Sequence, residues 1–346
     1  MARLLVITSS PHFVEGGHLV VARELVRAAR EAGHEAELCL TPQNAFGRQA
    51  GAYLATWLTD VTRTADDGRI DQVITLRYPS YAVRHPRHVC WLNHRMREYY
   101  DQWDRFSGLL SWRARVKERL RRRAVHAADR YLLTHHVNRL FVQSRTIEGR
   151  LARWGGIPST VIYPPAPARA YRCDGYGDYL FAYSRLTPLK RLDLVLQALA
   201  QPEAAGVRCV IAGEGPDRAA LEQLRRRLGL EGRVAFAGRI DDAALLDHLA
   251  RCRAVVFPPF DEDYGFVTVE AFSAGKPVLT CHDSGGPAEL VRHGENGWVT
   301  APTPVALAHA MREAIDDPHE AERRGAAGCL DAARLTWPET VNRLLL

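Results

Sequence analysis

Short apolar runs alternate with amphipathic segments along the first half of the chain. Each apolar run is bounded by polar or turn-forming residues, which is the pattern of a buried strand. After the first run, apolar residues recur at helical spacing up to Gly33, which predicts a helix over 19–32. The strands predicted in this half are 4–8, 36–40, 72–76, 88–92 and 140–143.

The alternation stops at 158–177, a segment rich in proline, tyrosine and glycine, which predicts a linker between domains. Beyond it, strands are predicted at 179–183, 209–212, 234–237, 254–257 and 278–280, and helices at 192–200, 217–228, 243–251 and 268–275. Strands that alternate with helices predict a parallel, doubly wound sheet in each half. The predicted fold class is therefore α/β, with two Rossmann-like domains that face each other across a cleft.

The composition of the 346-residue chain is that of a globular protein, with 47% apolar and 25% charged residues. No stretch approaches the roughly 20 apolar residues that a membrane span needs. The apolar run at 4–8 is too short for the core of a signal peptide. These observations predict a cytoplasmic protein.

The net charge of +6 suits an anionic substrate or membrane surface, and it is too small and too scattered to indicate a nucleic-acid partner. Basic residues are densest at 113–123, where they occupy seven of eleven positions. Such a helix either faces solvent or docks on a membrane. The seven dispersed cysteines include no C-x-x-C pair, so neither a disulfide framework nor a zinc site is expected.

Arg185 and Lys190 directly follow the predicted strand 179–183. Ligands of doubly wound sheets bind at the carboxyl ends of the strands. A guanidinium offers two parallel donors to a phosphate, and an ammonium adds a compact positive charge. The pair therefore suits the diphosphate of a nucleotide; two solvated residues on a surface loop are the alternative.

A glycine turn, Gly213-Glu-Gly-Pro, follows the next predicted strand. In the dinucleotide fingerprint G-x-G-x-x-G the third glycine would fall at Arg218, so the fingerprint fails. This failure argues against a dehydrogenase. A tight turn without a ligand is the alternative to a binding role.

Two glutamates, Glu262 and Glu270, are separated by seven residues. The segment between them is a turn followed by an apolar, helix-compatible stretch, so one carboxylate lies on the turn and the other about two helical turns further on. Ionised carboxylates accept hydrogen bonds from diols. The pair is therefore suited to a polyhydroxylated ligand held at two places.

The first half of the chain also contains candidate ligand-binding residues, which are a pair of glycines and a histidine. Gly16 and Gly17 lie between the first strand and the first helix, where the backbone can approach a ligand and the helix start presents N–H groups. His94 follows the predicted strand 88–92, at the same edge of that sheet. A plain turn and a structural histidine are the alternatives.

These motifs resemble those of the retaining glycosyltransferases of the GT-B type, family 4 (glycosyl transferases group 1). The resemblance rests on the E-x7-E and R-x4-K pairs, the Gly-Glu-Gly-Pro turn and the blocks 236–240 and 283–291. It extends over nearly the whole chain and is strongest over 180–300. The chain departs from the family at Arg191, where glycine is usual, and at Asp263, where a small residue is usual.

The resemblance implies an acceptor-binding domain over 1–165, a donor-binding domain over 166–330, and a helix in 331–346 that crosses back to the first domain. It implies catalytic roles for Arg185, Lys190, Glu262 and His94. The implied donor-binding residues are Gly16, Gly17, Gly213, Gly238, Arg239, Ile240, Tyr264, Gly265, Phe266, Val267 and Glu270, with Glu270 on the ribose. The acceptor site is expected among Arg95, Arg97, Tyr99, Tyr100 and Trp103.

The implied activity is transfer of a sugar from a UDP- or GDP-sugar to a hydroxyl of a small molecule or glycan, by metal-independent front-face chemistry. No cofactor is expected besides the nucleotide sugar as co-substrate. Asp261-Glu-Asp263 also matches the metal-binding D-x-D of another glycosyltransferase fold, which the two α/β halves disfavour. Some members of the family dock on membranes through a basic helix, so 113–123 is a candidate for peripheral contact with the inner face of the membrane.

Two other classes of function stay open. An inverting GT-B transferase or a sugar-nucleotide epimerase would use a histidine base, for which His12, His18 and His94 are candidates. A non-catalytic protein that binds sugar nucleotides would keep the binding motifs without turnover.

Overall fold

In the computed structural model, which describes residues 1–11, 16–43 and 46–346, the chain divides into two units. Met1–Pro167 and Thr336–Leu346 form the first unit, and Ala168–Leu335 form the second. Each unit is a parallel sheet flanked by helices, so the predicted α/β class with two doubly wound domains is confirmed.

The first unit is built from strands whose buried apolar residues match the short runs of the sequence. Its strands are β1 (Arg3–Ser10), β2 (Glu35–Pro42), β3 (Gln72–Thr75), β4 (His88–Leu92), β5 (Arg139–Val142) and β6 (Thr160–Val161). The α-helices that precede β6 are α1 (Gly17–Glu31), α2 (Gln49–Leu58), α3 (Trp103–Gly108), α4 (Trp112–His135) and α5 (Arg145–Arg153). In the described part of this unit the six strands are all parallel and lie in the order β2-β1-β3-β4-β5-β6.

Helix α1 ends where the glycine of the sequence predicts. Gly33 adopts a φ of 84°, which a residue with a side chain rarely adopts. The N–H of His34 then reaches back to the Ala29 carbonyl at 3.0 Å, and the N–H of Gly33 donates to Arg30 at 3.0 Å. This closed turn satisfies carbonyl groups that the end of a helix leaves without intrahelical partners.

The second unit repeats the strand–helix alternation. Its strands are β7 (Tyr179–Tyr183), β8 (Arg208–Ala212), β9 (Val234–Gly238), β10 (Ala254–Val256), β11 (Val278–Cys281) and β12 (Gly297–Thr300). Its helices are α6 (Leu192–Leu199), α7 (Arg218–Arg227), α8 (Asp242–Arg251), α9 (Phe266–Ser273), α10 (Gly286–Leu290), α11 (Pro304–Asp316) and α12 (Pro318–Ala333).

The order of the second sheet is β12-β11-β10-β7-β8-β9, with all neighbours parallel. The chain begins this sheet at β7, adds two strands on one side, and then returns to place β10 on the other side. The loops that leave β7 and β10 therefore diverge from adjacent strands. Such a reversal of strand order opens a crevice at the carboxyl ends of the strands, where ligands bind in these sheets.

The last helix, α13 (Trp337–Leu344), packs within the first unit. The indole N–H of Trp337 donates to the Ala166 carbonyl at 2.9 Å, and its ring meets that of Trp91 edge to face. The buried amide of Gln72 donates to the Leu344 carbonyl at 2.7 Å and accepts from the Leu346 N–H at 2.9 Å.

The predicted and observed elements differ at the start of α9 and in the predicted linker. The helix predicted over 268–275 begins earlier, at Phe266, because Gly265 adopts a φ of 83° and ends the preceding turn. The segment predicted as a linker, 158–177, contains the short strand β6, which extends the first sheet. Among the described residues, no helix is long and apolar enough to cross a membrane.

Candidate active site

The loops that leave β7 and β10 bring two predicted residues into contact. Lys190 Nζ lies 2.7 Å from Glu262 Oε2, and both side chains are largely buried. The same ammonium lies 5.3 Å from the centre of the Phe257 ring. Motifs 72 residues apart in the sequence therefore meet at the point where the strand order reverses. An anionic ligand at this edge would compete with Glu262 for Lys190.

Arg185 lies on the loop after β7, and its side chain is exposed. Among the described residues, its guanidinium makes no hydrogen bond or ion pair. The loop itself is held by backbone groups, since the Leu186 N–H donates to the Glu214 carbonyl at 2.9 Å and the Asp217 N–H donates to Leu186 at 3.1 Å. The guanidinium thus extends from a fixed loop with its donors available to a ligand.

The glycine turn after β8 supports this loop by close backbone contact. A Cβ on Gly213 would lie 1.8 Å from the Ser184 carbonyl oxygen, and one on Gly215 would lie 2.3 Å from that of Leu186. Gly213 also adopts a φ of 130°. The two glycines are therefore required by packing against the Arg185 loop, whether or not a ligand touches them.

The turn that carries Glu262 is joined to the loop before α10. The Glu262 N–H donates to the Ser284 carbonyl at 3.0 Å, and the Gly286 N–H donates to the Glu262 carbonyl at 2.9 Å. A Cβ on Gly285 would lie 2.4 Å from that same carbonyl oxygen. The glycines of the block 283–291 thus let two loops pair and fix the position of Glu262.

The predicted donor-binding segment from Tyr264 to Val267 forms the start of α9. Tyr264 is buried, Gly265 caps the helix, and Phe266 is its first residue. A helix start presents backbone N–H groups and the positive end of the helix dipole, which together favour an anion. The binding of the donor by this segment stays a prediction.

In the sequence Arg191 stands out only as a departure from glycine, which does not predict its contacts in the fold. It adopts a φ of 50°, in the left-handed region that glycine favours. Its guanidinium donates to the carbonyls of Pro258 and Pro259, each at 2.7 Å, and to both oxygens of Asp283 at 2.7 and 2.8 Å. Arg191 therefore ties the β7 loop to the loops after β10 and β11.

Glu270 lies inside α9 with only 4% of its surface exposed. Its carboxylate accepts hydrogen bonds from Arg169 Nη1, from the Tyr183 hydroxyl at 3.0 Å and from the Tyr171 hydroxyl at 3.3 Å. Burial raises the pKa of the Glu270 carboxyl, and Arg169 and the two hydroxyls oppose that shift. Sequence reasoning missed these three partners, which lie 87 to 101 residues before Glu270 and carry no local signal.

Gly238, Arg239 and Ile240 lie at and beyond the end of β9. Gly238 has a φ of 68°, and its carbonyl accepts from the Gly213 N–H at 2.7 Å. Arg239 is exposed, and Ile240 packs against the core on one face of the sheet. One backbone group of this predicted donor-binding segment is therefore engaged by the glycine turn.

In the first unit, Gly16 caps α1 and Gly17 is its first residue. His12, one of the candidate histidine bases, lies outside the described residues. His18 is buried, with Nε2 at 3.3 Å from the Ser10 hydroxyl.

His94 follows β4, and its Nδ1 donates to the Arg95 carbonyl at 2.7 Å. Four predicted residues, His94, Arg95, Arg97 and Tyr100, line one cavity of the first unit. The predicted histidine and part of the predicted acceptor set are therefore neighbours.

The aromatic members of the predicted acceptor set are buried. The Tyr99 hydroxyl donates to Glu118 at 2.5 Å, and the Tyr100 hydroxyl donates to the buried Asp129 at 2.7 Å. Trp103 packs in the same core. The Arg95 guanidinium stacks on the Tyr100 ring at 3.7 Å. Tyr99, Tyr100 and Trp103 therefore pack in the core of the first unit. Their contact with an acceptor stays a prediction.

The second unit matches a known family. Residues 173–329, just under half of the chain, match the family model described as glycosyl transferases group 1. This segment contains β7 to β12 and every second-unit residue that the sequence singled out.

Curated relatives share part of the chain. An exopolysaccharide phosphotransferase of Streptomyces coelicolor is 33% identical over 46% of this chain and 18% of that protein. A glycogen synthase of Mycobacterium tuberculosis is 39% identical over 35% of this chain and 30% of that protein. A D-inositol 3-phosphate glycosyltransferase of Streptomyces avermitilis is 32% identical over 46% of this chain and 36% of that protein. The chain therefore spans at most 36% of the length of these relatives.

Solved structures match the whole chain. A sucrose-phosphate synthase from Thermosynechococcus elongatus superposes with a TM-score of 0.75 at 18% identity, over 99% of this chain and 97% of that one. Anabaena Alr3699/HepE, solved in complex with UDP and glucose, superposes with a TM-score of 0.73 at 19% identity, over 98% and 97%. Residues 173–329 thus match the family of glycosyl transferases group 1, and the chain as a whole has the two-domain α/β fold of the GT-B glycosyltransferases.

Proposed function

We propose that the protein is a retaining glycosyltransferase that moves a sugar from a nucleoside diphosphate to a hydroxyl acceptor. The observation that carries the proposal is the pairing of Lys190 with Glu262 where the strand order reverses, in a unit that matches the group 1 family. A cation held at this edge by a carboxylate is suited to exchange that partner for a diphosphate. The buried Glu270 on α9 supplies the second carboxylate for a polyhydroxylated ligand.

The proposed contacts with the donor lie on the loop after β7 and on α9. Its diphosphate binds to the ammonium of Lys190, the exposed guanidinium of Arg185 and the N–H groups at the start of α9. Its ribose hydroxyls donate to Glu270. A UDP- or GDP-sugar is favoured; the UDP and glucose bound by Alr3699/HepE support the uridine nucleotide.

The proposed chemistry needs charge stabilisation more than a base. The bond between the anomeric carbon and the diphosphate oxygen breaks while a bond from the acceptor oxygen forms on the same face of the sugar. The acceptor proton passes to the departing phosphate oxygen. Negative charge grows on the diphosphate, and Arg185 and Lys190 stabilise it without a metal ion or another cofactor. His94 is proposed to contact the donor sugar.

A screen followed by product analysis tests the proposal. A bound nucleotide sugar raises the melting temperature by mass action, so UDP-, GDP-, ADP- and dTDP-sugars are compared first. NMR of the bond formed from the best donor then gives its stereochemistry. Retention is expected. Inversion or epimerisation would favour a histidine base, and binding without turnover would favour a non-catalytic protein.

We also propose that α4 docks on the cytoplasmic face of an anionic membrane. Trp112, Val116 and Leu120 recur every fourth residue, so they share one face of the helix, and they are 71%, 51% and 62% exposed. Basic residues occupy seven positions of 113–123, and four of them are exposed near this apolar stripe: Arg113, Lys117, Arg119 and Arg123. The other three, Arg115, Arg121 and Arg122, are half-buried and donate to Ser107, Glu118 and Tyr99. Aromatic and aliphatic side chains beside arginine and lysine suit the boundary between anionic headgroups and acyl chains.

Co-sedimentation with vesicles tests this contact. The protein is expected to bind vesicles rich in anionic lipid at low salt, and Leu120→Ser is expected to weaken binding several-fold. The control is Leu330→Ser, which removes a similarly exposed leucine, 68% exposed, from α12. Absence of binding at low salt, or equal effects of the two substitutions, would contradict the proposal.

A further inference from the structure

We propose that Arg169 is a positioning residue for donor binding, which holds the Glu270 carboxylate as an oriented anion for the ribose diol. This inference rests on the proposed function. It concerns a residue that precedes β7 and belongs to none of the predicted motifs.

Asp242, Arg169 and Glu270 are joined in series by hydrogen bonds between their side chains. Arg169 Nη1 donates to Glu270 Oε1, while Nε and Nη2 of the same guanidinium donate to the two oxygens of Asp242 at 3.2 and 3.0 Å. The two bonds to Asp242 form a fork that fixes the plane of the guanidinium. Asp242 lies at the start of α8 and is largely exposed, so it anchors Arg169 from the solvent side.

The charge state of Glu270 depends on its burial and on the groups that face it. A carboxylate as deeply buried as Glu270 loses its hydration, which favours the neutral acid. The groups that face it are Arg169 and the Tyr171 hydroxyl from the segment before β7, the Tyr183 hydroxyl at the end of β7, and Asp242 from α8. Arg169 and the hydroxyls favour the anion, whereas Asp242 disfavours it. Arg169 brings the positive charge of this set, so the anionic form of Glu270 depends on it most.

The Glu270 carboxylate accepts three hydrogen bonds from the protein. A carboxylate offers about four acceptor positions on its two oxygens. Arg169 and Tyr171 occupy Oε1, and Tyr183 occupies one position on Oε2. One hydroxyl of a ribose can donate to the open position of Oε2, and the second can replace Tyr171, whose bond of 3.3 Å is longer than the 3.0 Å bond of Tyr183. The ribose therefore binds while Arg169 stays in place.

The test compares Arg169→Gln with wild type by calorimetric titration of UDP and of 2′,3′-dideoxy-UDP. Loss of a charged hydrogen-bond partner of Glu270 is expected to weaken UDP binding about tenfold to a hundredfold near pH 6. The deficit is expected to shrink near pH 8.5, because removal of Arg169 raises the pKa of Glu270 and a higher pH restores the anion. Binding of the dideoxy compound, which has no diol, is expected to change little.

Two further variants make the result specific. Arg169→Lys keeps the charge and loses the fork, so a smaller deficit with little pH dependence is expected. Arg172→Gln removes an exposed arginine of the same segment, which pairs with Asp174 and Asp247, and is expected to bind UDP like wild type. Equal unfolding temperatures of the variants exclude a loss of fold.

The outcomes separate this inference from the proposed function. Wild-type affinity of Arg169→Gln for UDP at both pH values, or equal losses of UDP and its dideoxy analogue, would overturn the positioning role. If wild type prefers GDP, the same series is run with GDP and its dideoxy analogue. Failure of wild type to bind any nucleoside diphosphate would overturn the proposed function itself.

Discussion

At the scale of single residues, Arg191 shows how the chain accommodates a departure from glycine. A φ of 50° costs a residue with a side chain about 1 kcal/mol. The guanidinium offsets this cost with four hydrogen bonds to Pro258, Pro259 and Asp283. The departure is visible in the sequence, but the compensation is not, because Asp283 lies 92 residues away.

Lys190 is the residue whose loss is expected to affect turnover most directly. In Lys190→Ala the departing diphosphate loses a cation that stabilises its growing charge, so kcat is expected to fall about 10²–10³-fold. The fall in kcat is expected to exceed any rise in the KM for the acceptor. Steady-state kinetics with the donor chosen by the thermal screen measure both quantities.

Lys117→Ala is the control, because Lys117 is exposed on α4 and lies in the other unit. It is expected to keep wild-type kinetics with a soluble acceptor. Near-normal turnover of Lys190→Ala would contradict its proposed catalytic role.

At the scale of elements, the second unit is organised by loops that pair through their backbones. The glycine turn after β8 packs on the Arg185 loop, and the block 283–291 packs on the Glu262 turn. Each contact requires glycine because a Cβ would overlap a carbonyl oxygen. These turns therefore position the charged residues even where they touch no ligand.

Gly213→Ala is expected to destabilise the second unit by about 3 kcal/mol or more, because the new Cβ meets Ser184 and the φ of 130° strains an alanine. Urea unfolding followed by tryptophan fluorescence or circular dichroism measures the change in the free energy of unfolding.

Gly232→Ala provides the matched control. A Cβ at Gly232 meets nothing within 4 Å and the residue has no positive φ, so a change within about 0.5 kcal/mol is expected. If the two alanine variants were equally stable, the packing explanation for Gly213 would be wrong.

At the scale of the whole molecule, the first unit is assembled from both ends of the chain. Helix α13 follows the entire second unit in the sequence but packs with α1 and Trp91 in the first. The first unit is therefore complete only when residues 336–346 are in place.

Trp337→Ala is expected to destabilise the first unit by about 3–5 kcal/mol, since it removes a buried indole and its hydrogen bond to Ala166. Thermal unfolding measures the effect. Leu330→Ala, at an exposed position of α12, is the control and is expected to leave the unfolding temperature nearly unchanged. Equal unfolding temperatures of the two variants would contradict a structural role for α13.

Sequence patterns predicted much of this molecule because its sheets are parallel and buried. Continuous apolar strands such as β4 and β7 stand out between helices, and residues at their carboxyl ends, such as Lys190, must lie at one edge. The contacts of Glu270 could not be predicted in the same way. Arg169, Tyr171 and Tyr183 reach it through tertiary packing, which leaves no periodic trace.

The same limit applies to the predicted acceptor residues. Tyr99 and Tyr100 are of a residue type that can stack on a ligand, but their hydroxyls donate hydrogen bonds to Glu118 and Asp129. An aromatic run has the same appearance in a sequence whether it lines a pocket or fills a core, because both environments favour large apolar side chains.

The ion pair of Lys190 and Glu262 has a consequence for the end of a reaction cycle. Under the proposed function, the Glu262 carboxylate competes with the diphosphate for Lys190. It stays close to Lys190 because its turn is fixed by the backbone of Ser284 and Gly286. A carboxylate tethered near an ammonium acts at a high effective concentration. When the nucleoside diphosphate product begins to dissociate, Glu262 pairs with Lys190 again. This intramolecular competition promotes product release.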